Sequence, residues 1–162
     1  MNHNGSLDLA YQLVDAAVLA GVDAVKFQTF KAESLLTLDA PKAAYQMENT
    51  DVSQSQYDML RSLELSDEAH RDLVTYCQEK GVLFMSTPFD EESADLLDDL
   101  GVAVLKIPSG EITNLSLLIH VARKGKPVIV STGMADIGEV GWAVKTICGA
   151  GNNDLALLHC IS

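Results

Sequence analysis

The stretch KIPSGE, residues 106–111, places an ammonium, a hydroxyl and a carboxylate directly after the apolar run GVAVL. The arrangement recurs along the chain. Lys26 and Gln28 close one apolar run, Ser86 and Thr87 another, Ser131 and Thr132 a third, and His159 with Ser162 the last. If these runs are adjacent parallel strands, all of those groups point toward one mouth. Two lysines among hydroxyls suit an oxyanion, because Lys supplies charge while hydroxyls and amides supply directed hydrogen bonds. Phosphate or carboxylate is the natural ligand. Lys26 alone reads as a solvated head on a buried stem; Lys26 together with Lys106, at equivalent run ends, reads as an anion site. Glu111 is open to two readings, a working carboxylate or a solvated loop residue beside a helix cap, with Asn114 the better cap.

The elements that position these groups follow one grammar: an amphipathic stretch, a Gly, then a short apolar run with a polar exit. Gly21, Gly81, Gly101, Gly125 and Gly151 stand where a helix ends in a left-handed residue, a conformation Gly adopts without steric cost. Helices are predicted over 6–20, 66–80, 91–100, 114–124 and 136–150, opening at the capping residues Ser6, Ser66, Asp90, Asn114 and Asp136. Strands that are apolar nearly throughout and joined by helices belong to a parallel sheet covered on both faces. An open doubly wound sheet and a closed eight-stranded barrel both satisfy that pattern. Polar residues at every strand exit favour the barrel, where chemistry gathers at the carboxyl ends of several strands. Five strands are counted in 162 residues, whereas a barrel needs eight and about 250 residues. Residues 30–65 break the grammar. Leu35, Leu36, Tyr45, Tyr57, Met59, Leu60 and Leu63 make that stretch too apolar for a disordered insertion, so a structured lid or rim is expected.

Composition excludes several classes of function. A formal net charge of -12 argues against nucleic acid, which selects clustered Lys and Arg. A small anion is still compatible, since one or two lysines in a cleft set the local potential. No apolar run approaches the roughly 20 residues of a membrane helix. The three cysteines, Cys77, Cys148 and Cys160, form no close pair and fit reduced thiols in a cytoplasm. His159, inside an apolar run, is expected to be a satisfied core histidine. His3 reads as a polar residue before a helix, with a ligand role open, and His70 and His120 as surface or packing residues on helices. No metal-ligand cluster is visible in the sequence. Cys160 beside His159 does not read as a nucleophile pair, because adjacent strand residues face opposite ways.

The segments NHNG, VKFQTFKAE, STPFDEES, KIPSGEITN, STGM and LLHC, in this order, resemble the sialic acid synthases, including the legionaminic acid synthases. The likeness runs from residue 2 to 162. It implies a (β/α)8 TIM barrel, of which this chain holds parallel strands 2 to 6 with their helices. It also implies condensation of phosphoenolpyruvate with N-acetylmannosamine or a related 2-acetamido sugar to a nonulosonic acid and phosphate, assisted by Mn2+ or Mg2+ as a Lewis acid. Position by position, Lys26 and Lys106 would hold phosphoenolpyruvate, with Thr87, Ser109 and Ser131 as hydrogen-bond donors and Ser162 as a further substrate contact. Glu111, with Lys106, would be catalytic, Glu111 orienting or deprotonating the water.

By the same resemblance the family's first strand, its two metal-binding histidines and its antifreeze-like domain lie outside residues 1–162. The chain is therefore expected to be an incomplete N-terminal synthase barrel, inactive alone, from a cytoplasmic homodimeric enzyme with no nucleic-acid or membrane partner. FKAESL and YQMENT look closer to bacterial legionaminic and sialic types than to animal ones. A non-catalytic phosphosugar-binding remnant, or another phosphoenolpyruvate-dependent sugar-acid synthase, are the alternatives. Keeping Lys26, Lys106 and Glu111 together weighs against the remnant, and STPF with KIPSGE against the other synthase.

Overall fold

The computed structural model describes residues 2–35 and 55–160. Helix α1 (Leu7–Leu19) leads into β1 (Ala24–Thr29), followed by α2 (Ala32–Leu35), α3 (Gln56–Arg61) and α4 (Asp67–Lys80). Next come β2 (Leu83–Pro88), α5 (Glu91–Asp99), β3 (Leu105–Ile107), a 3-10 turn (Ser109–Glu111), α6 (Leu115–Arg123), β4 (Val128–Ser131), α7 (Ile137–Gly149) and β5 (Leu155–Leu158).

Each long helix starts on the predicted cap. Ser6, Ser66, Asp90 and Asn114 accept the backbone N–H of Leu9, Ala69, Ser93 and Leu117, and Asp136 forms a reciprocal capping box with Glu139. All five predicted glycines take left-handed φ, between 68° and 100°. Gly5 has a stricter reason to be Gly: at φ 75° a Cβ there would stand 2.1 Å from the backbone oxygen of Ser62. The turn before α1 is thereby pressed against the end of α3.

The five strands are all parallel and lie in chain order, β1-β2-β3-β4-β5. Every crossover steps the same way, whereas a doubly wound sheet reverses at a switch point. The sheet is not closed. Its helix side is the core: Leu105 and Ile107 of β3, Val128 and Val130 of β4, Leu73, Leu97, Leu117, Leu118 and Ile147 from the helices, and the stacked rings of Phe27 and Phe84, 5.4 Å apart. Burying each such side chain is worth about 1.5–3 kcal/mol.

The other face is not covered among the described residues. Leu83 and Leu158, which register with Ala24 and Ser131, are 41% and 44% exposed. This corrects the expectation of a sheet covered on both faces. In the 30–65 stretch, α2 and α3 are joined to their surroundings by Glu64, whose carboxylate accepts the Ala32 N–H at 3.0 Å. The Leu36 and Tyr45 positions of the expected rim lie outside the described residues.

Candidate functional site

Strand register decides which predicted residues share a face, because paired residues in a parallel sheet point the same way and neighbours alternate. Lys26 pairs with Met85, Gln28 with Thr87, Lys106 with Ile129 and Ile129 with Ala156. Lys26, Gln28, Thr87, Lys106 and Ser131 therefore lie on the uncovered face. Phe27 pairs with Ser86 and Ser86 with Leu105, which puts Ser86 on the helix side. The expectation of one mouth for all strand-exit residues is wrong for Ser86, and the cause is that Ser86 and Thr87 are adjacent in an extended strand. Thr132, one position past Ser131, turns its hydroxyl to the Leu158 carbonyl at 3.2 Å.

Lys106 is the centre of this face. Only 8% exposed, its ammonium donates to the Ile107 carbonyl at 2.9 Å and to the Ser131 hydroxyl at 2.5 Å. Burial pushes its pKa down, the charge of Lys26 pushes the same way, and Cys160 acts against both. Among the described residues Lys26 reaches only the Phe27 carbonyl, at 3.5 Å. Burial lowers its pKa too, but Lys26 is exposed, so solvent screens that effect more than at Lys106. Ion pairs elsewhere engage Lys31, Lys80, Lys124 and Lys126 with carboxylates. Among the described residues neither Lys26 nor Lys106 has one. Among the described residues, two neighbouring ammoniums thus stand without a counter-anion in a protein of net charge -12.

The remaining predicted residues are placed as follows. Thr87 is buried on the same face. Ser109 lines a separate shallow cavity of about 210 Å³ with Gly110, Thr113 and Glu139. Glu111 accepts the Asn114 side-chain N–H at 2.8 Å through Oε2, and among the described residues neither Ser109 nor Glu111 hydrogen-bonds either lysine. Ser162 lies outside the described residues. His159 is exposed, contrary to its expected place in a core, because β5 is an outer strand of the sheet.

His3 is buried, its Nδ1 accepting the Gly5 N–H at 3.1 Å, and burial lowers its pKa. His120 is a surface residue bonded to Asp95 at 2.6 Å, and His70 is fully interior. Sequence reasoning missed that Cys160 joins the lysine face: its Sγ lies 3.5 Å from Ser131 Oγ. The signal was available in the alternation that separates it from His159. Among the described residues no group of three or more His, Cys, Asp or Glu side chains could hold a metal ion, so the expected divalent cation finds no fitting donor set there. No helix among them is long and apolar enough to cross a membrane.

Residues 13–162 match the model of the NeuB family. The chain belongs to the NeuB family. It is 52% identical, over its full length, to N,N'-diacetyllegionaminic acid synthase of Legionella pneumophila, of which it covers 47%. With the synthase of the same name from Campylobacter jejuni it shares 46% identity over 99% of the chain and 48% of that protein. The solved N-acetylneuraminic acid (sialic acid) synthetase of Leptospira borgpetersenii, a citrate complex, superposes with a TM-score of 0.83 at 31% identity, covering 99% of this chain and 51% of that one. This NeuB-family chain thus spans about half the length of the relatives it matches, and its open parallel sheet is part of a TIM-barrel-type fold.

Proposed function

We propose that residues 1–162 are the amino-terminal barrel portion of a sugar-acid synthase and that their uncovered sheet face binds phosphoenolpyruvate. The observation that carries this reading is Lys106, a buried ammonium with a neighbouring lysine and no carboxylate partner among the described residues. Burying an unpaired charge is costly, and a bound anion offsets that cost. Lys26 and Lys106 supply the charge, and the Thr87 and Ser131 hydroxyls supply direction. The relatives' names, legionaminic and sialic acid synthases, support the class of product.

In this reading the methylene carbon of phosphoenolpyruvate forms a bond to the aldehyde carbon of an open-chain 2-acetamido sugar. Water adds at the former enol carbon, and its C–O bond to phosphate then breaks, giving a nonulosonic acid and inorganic phosphate. The lysines hold the carboxylate and phosphate while negative charge moves onto the departing group. Glu111, one oxygen of which is taken by Asn114, orients the water or removes its proton with the other. The 162 residues alone are proposed to bind the anion without turnover, because the sheet is open and positioning tolerates errors of only about 1 Å.

Isothermal calorimetry of phosphoenolpyruvate against the chain tests the binding step. Saturable binding that weakens with added salt is expected; absence of binding in low salt refutes the reading.

A further inference from the structure

Behind the lysine face lies a second polar group that the proposed chemistry does not use. Thr29, Ser86 and His70 are each at most 1% exposed, set among Phe27, Phe84, Leu73 and Cys77 on the helix side of the sheet. Buried polar groups persist only when bonded, and these are bonded in a definite direction.

The Ser66 carbonyl, 2.9 Å from His70 Nδ1, can only accept, so Nδ1 carries the proton. In a neutral imidazole Nε2 is then an acceptor, and Thr29 Oγ1, 3.0 Å away, donates to it. With its one proton spent there, Thr29 accepts from Ser86 Oγ at 2.7 Å. The chain of donors runs Ser86, Thr29, His70, Ser66. Burial lowers the His70 pKa, with Lys31 acting the same way, while the Ser66 and Gln28 carbonyls and Asp67 oppose it; His3 also lies close enough to interact. The Gln28 carbonyl would welcome a proton on Nε2, so the tautomer is a discriminating observable.

The location gives this chain of bonds its consequence. Thr29 directly follows Gln28, Ser86 directly precedes Thr87, and Gln28 and Thr87 are register partners on the lysine face. The same first turn of α4 grips the segment leaving β1 a second time, through Asp67 and Lys31 at 2.9 Å. The backbone ladder already pairs the exits of β1 and β2 as far as Thr29 and Pro88; apolar packing behind it would bury as much surface but would add no directed constraint. A satisfied hydrogen-bond chain adds that constraint.

We propose that His70 is a positioning residue which, as the neutral Nδ1–H tautomer, accepts the Thr29 hydroxyl and through the Thr29–Ser86 pair sets the spacing of Lys26, Gln28 and Thr87 for the anion. This rests on the reading of that face as a phosphoenolpyruvate site. Two measurements on the full chain test it.

Long-range 1H–15N correlation on the histidine rings is expected to show His70 protonated at Nδ1 and bare at Nε2 at neutral pH; a proton on Nε2 overturns the proposal. Calorimetry then compares His70→Gln, whose amide oxygen can accept from Thr29, with His70→Leu, which fills the space without an acceptor. Expected is affinity for phosphoenolpyruvate within about threefold of the parent for Gln and about tenfold weaker for Leu, at comparable melting temperatures. Thr29→Val, which removes the donor and keeps the volume, is expected to follow Leu and stands in should His70→Leu not fold. Equal affinity in the parent and the acceptor-less variants overturns the positioning role alone. No binding by the parent overturns the anion reading beneath it, and His70 loses the role with it.

Discussion

The two faces of one sheet treat polar groups in opposite ways. On the helix side Thr29, Ser86 and His70 are fully buried and every hydrogen bond closes within the protein. On the uncovered side Lys106 is nearly as buried, yet its partners are a carbonyl and one hydroxyl, which leave its charge unbalanced. Adjacent residues of the same strands, Ser86 and Thr87, fall on opposite sides of this divide. The difference separates polar groups that finish a structure from polar groups that, in the proposed reading, await a ligand: the first are satisfied and neutral, the second hydrogen-bonded but uncompensated among the described residues.

Replacing Lys106 breaks the open side most sharply. Lys106→Met is expected to weaken phosphoenolpyruvate binding about thirtyfold, the worth of a charge-assisted hydrogen bond of about 2 kcal/mol, while raising the melting temperature of the ligand-free protein by removing a buried charge. Calorimetry and thermal denaturation read the two effects, and a stability loss with unchanged affinity would place Lys106 with the closed side instead.

Away from both faces, the turn before α1 meets the end of α3 most tightly at Gly5. Gly5→Ala forces a Cβ into the Ser62 backbone at a left-handed φ and is expected to cost about 2 kcal/mol in denaturant unfolding, with no effect on the ligand once folded. Lys26→Met is a milder version of the Lys106 change, about fivefold in affinity, because an exposed charge contributes about 1 kcal/mol or less.

The smallest effect is a pH profile that runs in opposite directions for stability and for binding. With the folded pKa of Lys26 and Lys106 below the ordinary 10.5, the unfolded chain holds more protons in the window up to that value. The ligand-free protein therefore gains stability as pH rises through the window, and affinity for the anion falls over the same range. On the closed side the lowered pKa of His70 makes the fold lose stability as pH drops below 6.5, with His3 contributing alongside. His70→Gln is expected to flatten most of that acid limb.

Sequence reasoning reached local structure more fully than tertiary placement. Ser6, Ser66, Asp90, Asn114 and Asp136 announce helix starts because a cap is satisfied within three residues of chain, and the five glycines announce helix ends for the same local reason. Polar strand exits favoured the barrel over a doubly wound sheet, and the strand order β1-β2-β3-β4-β5 agrees; the order itself was not readable, since it depends on which crossover packs where. The lysine pair was legible as repeated strand exits, but that no described carboxylate pairs with it was not. Ser86 was misplaced although alternation with Thr87 would have moved it. His159 was misread because an apolar run says nothing about whether its strand is central or outermost. The partnership of His70 with Thr29 spans 41 positions, and no local pattern announces it.

The most direct test of the account is a calorimetric titration of phosphoenolpyruvate into the parent chain and the Lys26→Met, Lys106→Met double variant, with circular dichroism confirming that both are folded. The account predicts saturable, salt-sensitive binding to the parent and none to the double variant. Equal binding by both, or none by the parent, would contradict the claim that this sheet face is built for an anion.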